Sequence, residues 1–548
     1  MTPFVRSTIA RAPLPRNETV RDYAPGTRER AAIRATLSQI MSETSELPLV
    51  IDGVERRTGV LEAAVMPHRH QHVLGQAHLA SVDDVNAAID AATRVSADWS
   101  RWSWAQRAAV FLRAADLLSG PWRDRLNAAT MLGQSKTIHQ AEIDAAAELI
   151  DFWRFNVEFM LRIYREQPHS PEGTWNQVDY RPLEGFVFAV TPFNFTAIAG
   201  NLPSAPALMG NTVVWKPAAT AKYSAHLVMQ LLREAGLPDG VINLVYGDGA
   251  EIAKIALGHA ELAGVHFTGS TTVFNSLLRT VGQNVDRYRG YPRIVGETGG
   301  KNFVLAHSSA DVATLAAAIL RGGYEYQGQK CSAASRIFIP ASLWPTLKAL
   351  LRDEIATIRV GDVADFSNFM GAVIDEKAWR KHMAVFEEVK ASPRTKVIAG
   401  ATGDKRTGYF VAPTLLETDN LESPLLREEY FGPIVTAFIY RDQDFEDIIQ
   451  RIDRSCAYGL TGSIFSNDRR SIELASAGLR NAAGNFYIND KPTGAVVGQQ
   501  PFGGGRMSGT NDKAGSVWNL IRWTSPRTLK ETFVPPTDYR YPYQSELP

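Results

Sequence analysis

The stretch at residues 185–217 reads GFVFAVTPFNFTAIAGNLPSAPALMGNTVVWKP, and its pattern decides the fold. It begins and ends with short apolar runs, Gly185–Val190 and Thr212–Trp215. The first run stops at Thr191-Pro192 and the second at Lys216-Pro217. A short apolar run bounded by turn residues is typical of a buried β-strand. The stretch therefore predicts two strands of one sheet.

The same alternation continues beyond this stretch. Two more apolar runs follow, Val241–Val245 and Gly264–Phe267. Between the runs the pattern is helical, as at Tyr223–Glu234, which ends at Gly236-Leu237-Pro238, the usual glycine-then-proline terminator. Strands separated by helices pair in parallel through right-handed crossovers. We therefore predict the α/β class with a doubly wound sheet.

The loops that follow these strands indicate where a ligand would bind. In such sheets ligands bind beyond the carboxyl ends of the strands. Thr191–Phe195, Lys216–Ala219 and Thr268–Thr271 each follow a predicted strand. We expect these three loops to face one crevice.

The second half predicts another α/β domain. Predicted strands lie at 302–305, 335–339, 434–440, 460–465 and 485–488, with helices at 311–321, 445–452 and 468–479. Earlier in the chain, Ser135–Arg165 has a long helical pattern, and Glu166–Tyr180 breaks it with prolines and a glycine. We predict that this second segment projects and mediates oligomer contacts.

Composition limits the classes of function. A chain of 548 residues is too long for one hydrophobic core, so two or three domains are expected. Its 58 basic and 58 acidic side chains balance, which argues against nucleic acid or an anionic membrane as a partner and favours a small-molecule substrate. Two cysteines, Cys331 and Cys456, cannot form a disulfide framework and suit a reducing compartment. The sequence shows no metal-ligand cluster, so we expect no metal.

The chain ends give a weaker indication of location. No segment is long and apolar enough to span a bilayer. The first sixteen residues carry Arg6, Arg11 and Arg16 with no acid before Glu18, which is weakly similar to an organellar transit peptide. A short tail ahead of the fold explains the same residues. We expect a cytoplasmic protein, with the mitochondrial matrix as the alternative.

Cys331 is a candidate nucleophile. It lies in Gly328-Gln329-Lys330-Cys331-Ser332, downstream of the carboxylate in Gly296-Glu297-Thr298-Gly299-Gly300. A thiolate is a strong nucleophile, and a glycine-flanked site gives it access and backbone N–H donors. A small buried thiol is the common alternative for a free cysteine.

Seven motifs together resemble the aldehyde dehydrogenase family, in that family's order and over roughly residues 45–530. They are Pro192-Phe193-Asn194-Phe195, Trp215-Lys216-Pro217, Phe267-Thr268-Gly269-Ser270, Glu297-Thr298-Gly299-Gly300-Lys301-Asn302, Gly328-Gln329-Lys330-Cys331, Glu429-Tyr430-Phe431-Gly432-Pro433 and Pro501-Phe502-Gly503-Gly504. One motif alone would be weak evidence. Seven in order are specific.

The resemblance implies a division of the chain. An N-terminal arm would span residues 1–44, and a Rossmann-like NAD-binding domain would span 45–165 and 184–298. An oligomerisation segment would span 166–183 and an α/β catalytic domain 299–500. Residues 501–548 would form a C-terminal crossing segment and tail.

It also implies catalytic roles. Cys331 would be the nucleophile, the Asn194 amide and the Cys331 backbone N–H would form the oxyanion hole, and Glu297 would activate the deacylating water. These roles match what aldehyde oxidation through a thioester needs. Asn194 could instead be a turn residue that bonds its own backbone. Glu297 could instead cap the glycine turn or pair with a lysine.

For the cofactor, the resemblance implies NAD. No Gly-x-Gly-x-x-Gly follows the first strand. Gly269 and Ser270 would hold the pyrophosphate at a helix start, Lys216 the adenosine ribose, and Glu429 and Phe431 the nicotinamide end. Many NAD-preferring relatives place a carboxylate three residues after the lysine, where this chain has Ala219. Without it a 2′-phosphate is repelled less, and Lys222 would attract one, but NAD is still expected over NADP.

The substrate is indicated by a closer match to one branch of the family, which oxidises L-glutamate γ-semialdehyde to L-glutamate. The match extends over Arg480–Lys491 and Thr493–Gly504. By this resemblance six residues would bind the substrate: Ser332, Gly494 and Ala495 its α-carboxylate, Glu148 its polar end, and Phe195 and Phe502 its aliphatic chain. Each has a structural alternative, as space filler, turn or core residue. Glu142, Asp144 and Asp151 compete with Glu148 on the same predicted helix.

The same resemblance implies partners and leaves alternatives. The enzyme would be a homo-oligomer, dimer or higher, acting in the second step of proline degradation beside a separate proline dehydrogenase. Two other functions stay open: an aldehyde dehydrogenase for another semialdehyde, and a non-catalytic protein that retains the fold.

Overall fold

A seven-stranded sheet forms around the stretch at 185–217. The structure is a computed structural model that describes residues 11–544. In spatial order the strands are Arg293–Glu297, Leu262–Thr268, Phe186–Thr191, Thr212–Pro217, Ile242–Leu244, Leu49–Ile51 and Val54–Arg56. The first five strands are parallel, and the last two add an antiparallel hairpin at one edge. The predicted doubly wound α/β sheet is confirmed, and the edge hairpin is an addition to it.

The order of the strands places the crevice. Phe186–Thr191 lies between Thr212–Pro217, which follows it in the chain, and Leu262–Thr268, which is reached by the return crossover. At such a switch point the loops diverge and leave a ligand crevice at the carboxyl ends. The loop after Thr191 and the loop after Thr268 therefore flank the same opening, as predicted.

Helices and a small sheet surround this sheet. The α-helices of the first half are Arg28–Ser42, Val82–Ser100, Trp104–Ser119, Arg123–Gln134, Ile138–Ala141, Leu149–Arg165, Thr196–Leu208, Lys222–Glu234, Gly249–Gly258 and Thr271–Gln283. A three-stranded sheet has the order Ser45–Leu47, Arg69–His78, Leu61–Met66. Phe186, Val187, Phe188 and Ala189 are fully buried, which explains why their strand shows an unbroken apolar run.

The long helix predicted over Ser135–Arg165 is wrong in its first part. Ser135 has a φ of 56° and terminates the preceding helix in a left-handed conformation. The helical run starts at Ile138 and contains a π-helical segment, Glu142–Glu148, before Leu149–Arg165. π-Helical turns occur mostly inside α-helices at functional sites.

The second half forms a second seven-stranded sheet. Its spatial order is Thr395–Ala399, Thr414–Thr418, Ile434–Tyr440, Ala334–Pro340, Asn302–Ala306, Thr461–Phe465 and Asn485–Ile488. All neighbours are parallel except the first pair. The five predicted strands are confirmed within one or two residues, and the first two strands were not predicted. The helices here are Val312–Tyr324, Trp344–Thr357, Glu376–Ala391, Pro424–Arg427, Phe445–Arg454, Arg469–Gly478 and Val517–Ile521.

The C-terminal part returns to the first sheet. Gly509 forms a β-bridge with Glu297, and Trp523 is fully buried in the core of the first half. The strand Ser525–Thr532 then pairs antiparallel with Thr174–Arg181. The segment predicted to project is thus half of a two-stranded sheet, and the other half is the C-terminal strand.

Membrane-spanning helices and metal-ligand clusters are both absent from the described residues. Between residues 11 and 544 no helix is long and apolar enough to cross a membrane. In the same part of the chain no group of three or more His, Cys, Asp or Glu could hold a metal ion. Arg6 and the rest of the first ten residues lie outside the described part.

Candidate active site

Cys331 follows a loop with an unusual backbone. Tyr326, Gln327 and Gly328 have φ values of 51°, 56° and 64°, a conformation that costs free energy for residues other than glycine. Hydrogen bonds of Gln327 hold the loop: its Nε2 donates to the carbonyls of Ser135 (3.1 Å) and Ala372 (2.7 Å). Its Oε1 accepts from the Gly371 N–H at 2.8 Å. The loop is thus fixed by residues far away in the chain.

Asn194 contacts this loop directly. Its Nδ2 donates to the Gln329 carbonyl at 3.0 Å, and the side chain is buried. The amide therefore bonds a residue of the nucleophile loop, which rules out the turn in which asparagine bonds its own backbone. Among the described residues, the Cys331 N–H donates to no backbone carbonyl. One predicted oxyanion donor is thus bonded to residue 329, and the other belongs to residue 331 itself.

Glu297, the predicted base, is the last residue of the strand Arg293–Glu297. Its Oε2 is buried and accepts no hydrogen bond within residues 11–544. Burial raises its pKa well above the ordinary value, and Lys513 partly opposes that rise. The glycine turn is instead capped by Glu429, whose Oε1 accepts from the Gly300 N–H at 2.8 Å. The alternative role of Glu297 as a turn cap is therefore wrong.

The Cys331 thiol is buried among acids. Its pKa is raised, chiefly by burial and then by the negative charges of Glu297 and Glu429. The backbone N–H groups of Ser332 and Cys331 act in the opposite direction. The raised pKa means that the resting thiol is neutral and becomes a nucleophile only when it loses its proton.

The helix start predicted to hold the pyrophosphate has free N–H groups. Ser270 caps the helix Thr271–Gln283 by accepting from the Val273 N–H at 3.3 Å. Among the described residues, the N–H groups of Thr271 and Thr272 donate to no acceptor. A Cβ on Gly269 would lie 2.7 Å from the Phe267 ring, so only glycine fits there. Free N–H groups at a helix start are an anion site.

Lys216 and Phe431 lie on different halves of the chain. Lys216 is the penultimate residue of the strand Thr212–Pro217, and its pKa is lowered by burial, with Asp248 and Glu62 opposing. Phe431 has a φ of 59° and packs edge-on against Phe193 at 5.8 Å. Phe431 of the second half thus contacts the loop that follows Phe186–Thr191, the strand paired with that of Lys216.

Ser332 links the nucleophile to the predicted carboxylate loop. Its Oγ is 2.7 Å from the Thr493 Oγ1, one residue before Gly494. Gly494 has a φ of 98°, and within residues 11–544 the N–H groups of Gly494 and Ala495 donate to no acceptor. Ser332 thus contacts the residue that precedes these two free donors and does more than fill space.

Glu148 is distinguished from its neighbours by its partners. Glu142 bonds Tyr23 and Asn127, and Asp151 bonds Asn17. Asp144 bonds Lys136 at 2.7 Å. Among the described residues, no donor bonds the Glu148 carboxylate, and burial with the charge of Asp144 raises its pKa to about 8. It is the one acid of the four with a free carboxylate.

The aromatic residues differ in their surroundings. Phe195 has the Lys136 ammonium 4.3 Å from its ring centroid, and Tyr326 has it at 4.5 Å. Phe502 lies in a short bridge with Ala514 on the C-terminal crossing segment. Both phenylalanines are part-exposed, which sets them apart from core residues.

Three lysines and one acid of the site were not predicted. Lys136 and Asp144 form a buried ion pair. The Lys301 pKa is lowered to about 7 by burial and by Arg336, and Lys513 donates to the Gly484 and Gly503 carbonyls at 2.8 Å each. Lys301 belongs to the motif Glu297-Thr298-Gly299-Gly300-Lys301-Asn302, but no role was predicted for it. The other three have no local signal, because their roles depend on distant partners.

The site and fold together agree with the comparisons with known proteins. The model of the aldehyde dehydrogenase family matches residues 56–529, and the chain belongs to this family. A mitochondrial delta-1-pyrroline-5-carboxylate dehydrogenase of Dictyostelium discoideum is 47% identical over 546 residues, covering 99% of this chain and 97% of the relative. The mitochondrial enzyme of the same name from Mus musculus is 47% identical, covering 96% and 94%.

Solved structures agree. The delta-pyrroline-5-carboxylate dehydrogenase of Mycobacterium tuberculosis bound with NAD has a TM-score of 0.96 and 52% identity, covering 99% of this chain and 100% of that one. A Thermus thermophilus 1-pyrroline-5-carboxylate dehydrogenase has a TM-score of 0.89 and 30% identity, covering 94% and 99%.

Proposed function

We propose that this chain oxidises L-glutamate γ-semialdehyde to L-glutamate with NAD as the hydride acceptor. The two curated relatives and two structures above carry the name of that enzyme and are 30–52% identical over nearly the whole chain. One structural observation carries the proposal: Ser332, next to the nucleophile in the chain, bonds Thr493, the residue before the Gly494–Ala495 donors. A substrate with a carboxylate at one end and an aldehyde at the other fits that arrangement.

The first half of the reaction forms a thioester. The Cys331 sulfur, its proton lost to water, adds to the aldehyde carbon. The oxygen becomes an alkoxide, which the Asn194 amide and the Cys331 N–H stabilise. Such donors are aligned before charge develops, and losing one costs about 100- to 1000-fold in rate. The carbonyl then reforms as a hydride leaves carbon.

The second half hydrolyses the thioester. Glu297 takes a proton from water, the hydroxide adds to the acyl carbon, and the carbon–sulfur bond breaks to release glutamate and the thiol. The raised pKa of Glu297 makes it a stronger base than an exposed glutamate. Lys513 near it limits how far that pKa rises.

NAD fits the crevice. Bound there, the nicotinamide would supply hydride acceptance. The residues that would hold it are the Gly269–Ser270 helix start, Lys216, Glu429 and Phe431. The mycobacterial structure was solved with NAD. Charge favours the same choice, because Lys222 donates to Glu62 at 2.5 Å and is not free for a 2′-phosphate.

Partners and location belong to the same proposal. We expect a homo-oligomer whose 166–183 segment lies in the interface, and a separate proline dehydrogenase that supplies the substrate. A proline utilization A protein of Bdellovibrio bacteriovorus is 27% identical with a TM-score of 0.90, and this chain spans 53% of it. Several relatives are named mitochondrial, in line with the matrix alternative; a cytoplasmic location stays a prediction.

Substrate kinetics test the proposal. We expect kcat/KM for glutamate semialdehyde to exceed that for succinate semialdehyde by about 100-fold, because an unpaired binding group discriminates strongly against the wrong partner. Equal values would contradict the substrate. A Cys331→Ala variant that kept its turnover would contradict the mechanism and favour a non-catalytic role for this thiol.

A further inference from the structure

Lys216, the residue proposed for the adenosine ribose, has an acid near it from outside the dinucleotide motif. Ala219 lies in a short 3-10 turn, Ala219–Ala221, between Lys216 and Lys222. Glu62 reaches the same place from the strand Leu61–Met66 of the three-stranded sheet. Its Oε2 accepts from the Lys222 Nζ at 2.5 Å. The acid is thus brought to the lysines by tertiary structure and not by sequence spacing.

The charges around Lys216 identify Glu62 as the free carboxylate. Two acids act on Lys216, Asp248 and Glu62. Asp248 is occupied as a helix cap, accepting from the Ala250 and Glu251 N–H groups at 2.8 and 2.9 Å. Glu62 uses one oxygen for Lys222, and within residues 11–544 its Oε1 accepts no hydrogen bond. The Glu62 side chain is 49% exposed, so that oxygen is accessible to a ligand.

We propose that Glu62 selects NAD over NADP by neutralising Lys222 and presenting its second oxygen to the 2′-hydroxyl, in place of the carboxylate that Ala219 lacks. This inference rests on the cofactor part of the proposed function. A 2′-phosphate would meet a carboxylate and a lysine that already has a partner. A 2′-hydroxyl would meet an acceptor.

Removal of this one charge is the direct test. Glu62→Gln keeps the shape and frees Lys222. Isothermal titration without aldehyde should show NADP affinity rising about tenfold or more, the size expected for one charge at short range, while NAD affinity changes less than about threefold. Glu55→Gln, a neighbouring acid paired with Arg57 and Arg233, is the matched control and should change neither. Thermal unfolding confirms that each variant is folded.

The double variant Glu62→Gln/Lys222→Gln tests the role of the lysine. It should lose most of the gained NADP affinity, because the freed ammonium is then absent. An unchanged ratio of NADP to NAD affinity in Glu62→Gln would overturn the inference, as would an equal gain for both nucleotides. A wild-type enzyme that binds NADP more tightly than NAD would also overturn it.

The test of this inference can be distinguished from the test of the proposed substrate. A protein that fails to oxidise glutamate semialdehyde, but prefers NAD and loses that preference in Glu62→Gln, would refute the proposed substrate and support this inference. A protein that oxidises the semialdehyde with an unchanged preference in Glu62→Gln would do the reverse.

Discussion

Asn194 joins the two halves of the molecule through one side chain. It follows the strand Phe186–Thr191 of the first sheet and donates to Gln329 in the nucleophile loop of the second half. The bond holds the amide against Gln329, two residues before Cys331, before any substrate arrives. Preorganised donors of this kind lower the barrier because they need no rearrangement when charge develops.

Asn194→Ala should therefore lower kcat by about 100- to 1000-fold. We expect KM and NAD affinity to change little, since the amide acts on the developing alkoxide. Steady-state kinetics with titration of NAD measure all three. A loss confined to KM would contradict the role, and Asn284→Ala, in a distant helix cap, serves as control.

We expect Glu148 to make binding at the proposed substrate site depend on pH. Its pKa of about 8, raised by burial and Asp144 against the pull of Lys136 and Lys330, leaves the carboxyl mostly neutral at pH 6 and increasingly charged toward pH 8. A charged carboxylate attracts the α-ammonium of glutamate. Affinity for L-glutamate should rise about tenfold from pH 6 to pH 8.

In Glu148→Gln the affinity for L-glutamate should be nearly constant over that range. Calorimetric titration at several pH values measures both proteins. If the affinity of Glu148→Gln for L-glutamate rose with pH as in the wild type, another group would be the one that titrates. Glu158→Gln, which pairs with Arg162 on the exposed side of the following helix, should behave as wild type.

At the residue scale, the proposed catalytic residues can be found in the sequence because they belong to motifs. Residues whose role depends on a partner far away in the chain cannot be found in this way. Cys331, Glu297 and Asn194 each stand in a recognisable local pattern. Lys136 and Glu62 do not, because nothing near them in the chain shows that they meet Asp144 and Lys222. An ion pair between residues on different elements has no periodicity to detect.

The helix Thr196–Leu208 shows how an element is positioned for the site. Asp144 accepts from the N–H groups of Thr196 and Ala197, both at 2.9 Å, and pairs with buried Lys136. A carboxylate at a helix start satisfies free N–H groups and the helix dipole. This helix follows Asn194 directly, so Asp144 also fixes the position of the oxyanion donor.

Asp144→Ala should destabilise the protein by about 3–5 kcal/mol, because it leaves the Lys136 ammonium buried and unpaired. Thermal unfolding measures the loss. Lys136→Met/Asp144→Asn should recover part of it, since no buried charge remains. Glu376→Gln, which breaks the exposed pair with Arg380, should cost under about 1 kcal/mol. If Asp144→Ala lost as little stability as Glu376→Gln, the proposed role of the buried ion pair would be contradicted.

At the element scale, parallel strands were predictable and irregular helices were not. Buried strands show unbroken apolar runs. The helix Thr196–Leu208 contains Pro203 and Pro206, which argue against a helix in isolation. The π-helical segment Glu142–Glu148 keeps a helical pattern, so the sequence cannot distinguish it from an α-helix. The strands Thr395–Ala399 and Thr414–Thr418 lie at one edge of their sheet, and the sequence analysis did not find them.

The whole molecule is closed by its C-terminal part. Residues 501–523 run from the second half back to the first, where the Thr298 N–H donates to the Ser508 carbonyl at 2.9 Å and Lys513 lies near Glu297. The chain then forms the two-stranded sheet with Thr174–Arg181. An isolated two-stranded sheet is marginally stable in water, which supports the prediction that a second copy covers it.

Three apolar residues of this sheet and its extension are exposed: Trp175 (51%), Leu529 (39%) and Phe533 (59%). Trp175→Glu should weaken self-association and yield a smaller species than wild type in analytical ultracentrifugation, because a charge at an apolar interface is costly. Tyr291→Glu, at a separate exposed loop, should not. An unchanged mass in Trp175→Glu would remove this sheet from the proposed interface.

In the proposed mechanism, Cys331 carries the glutamyl group as a thioester, and Glu297 helps to hydrolyse that thioester. The Glu297→Gln variant should accumulate this thioester. The variant is mixed with NAD and glutamate semialdehyde, the reaction is quenched, and the protein is digested. Mass spectrometry then gives the masses of the peptides. The account predicts a glutamyl adduct on the Cys331 peptide, formed with about one equivalent of reduced nucleotide per site and slow turnover thereafter. An unmodified Cys331 peptide with wild-type turnover, or an adduct on Cys456, would contradict it.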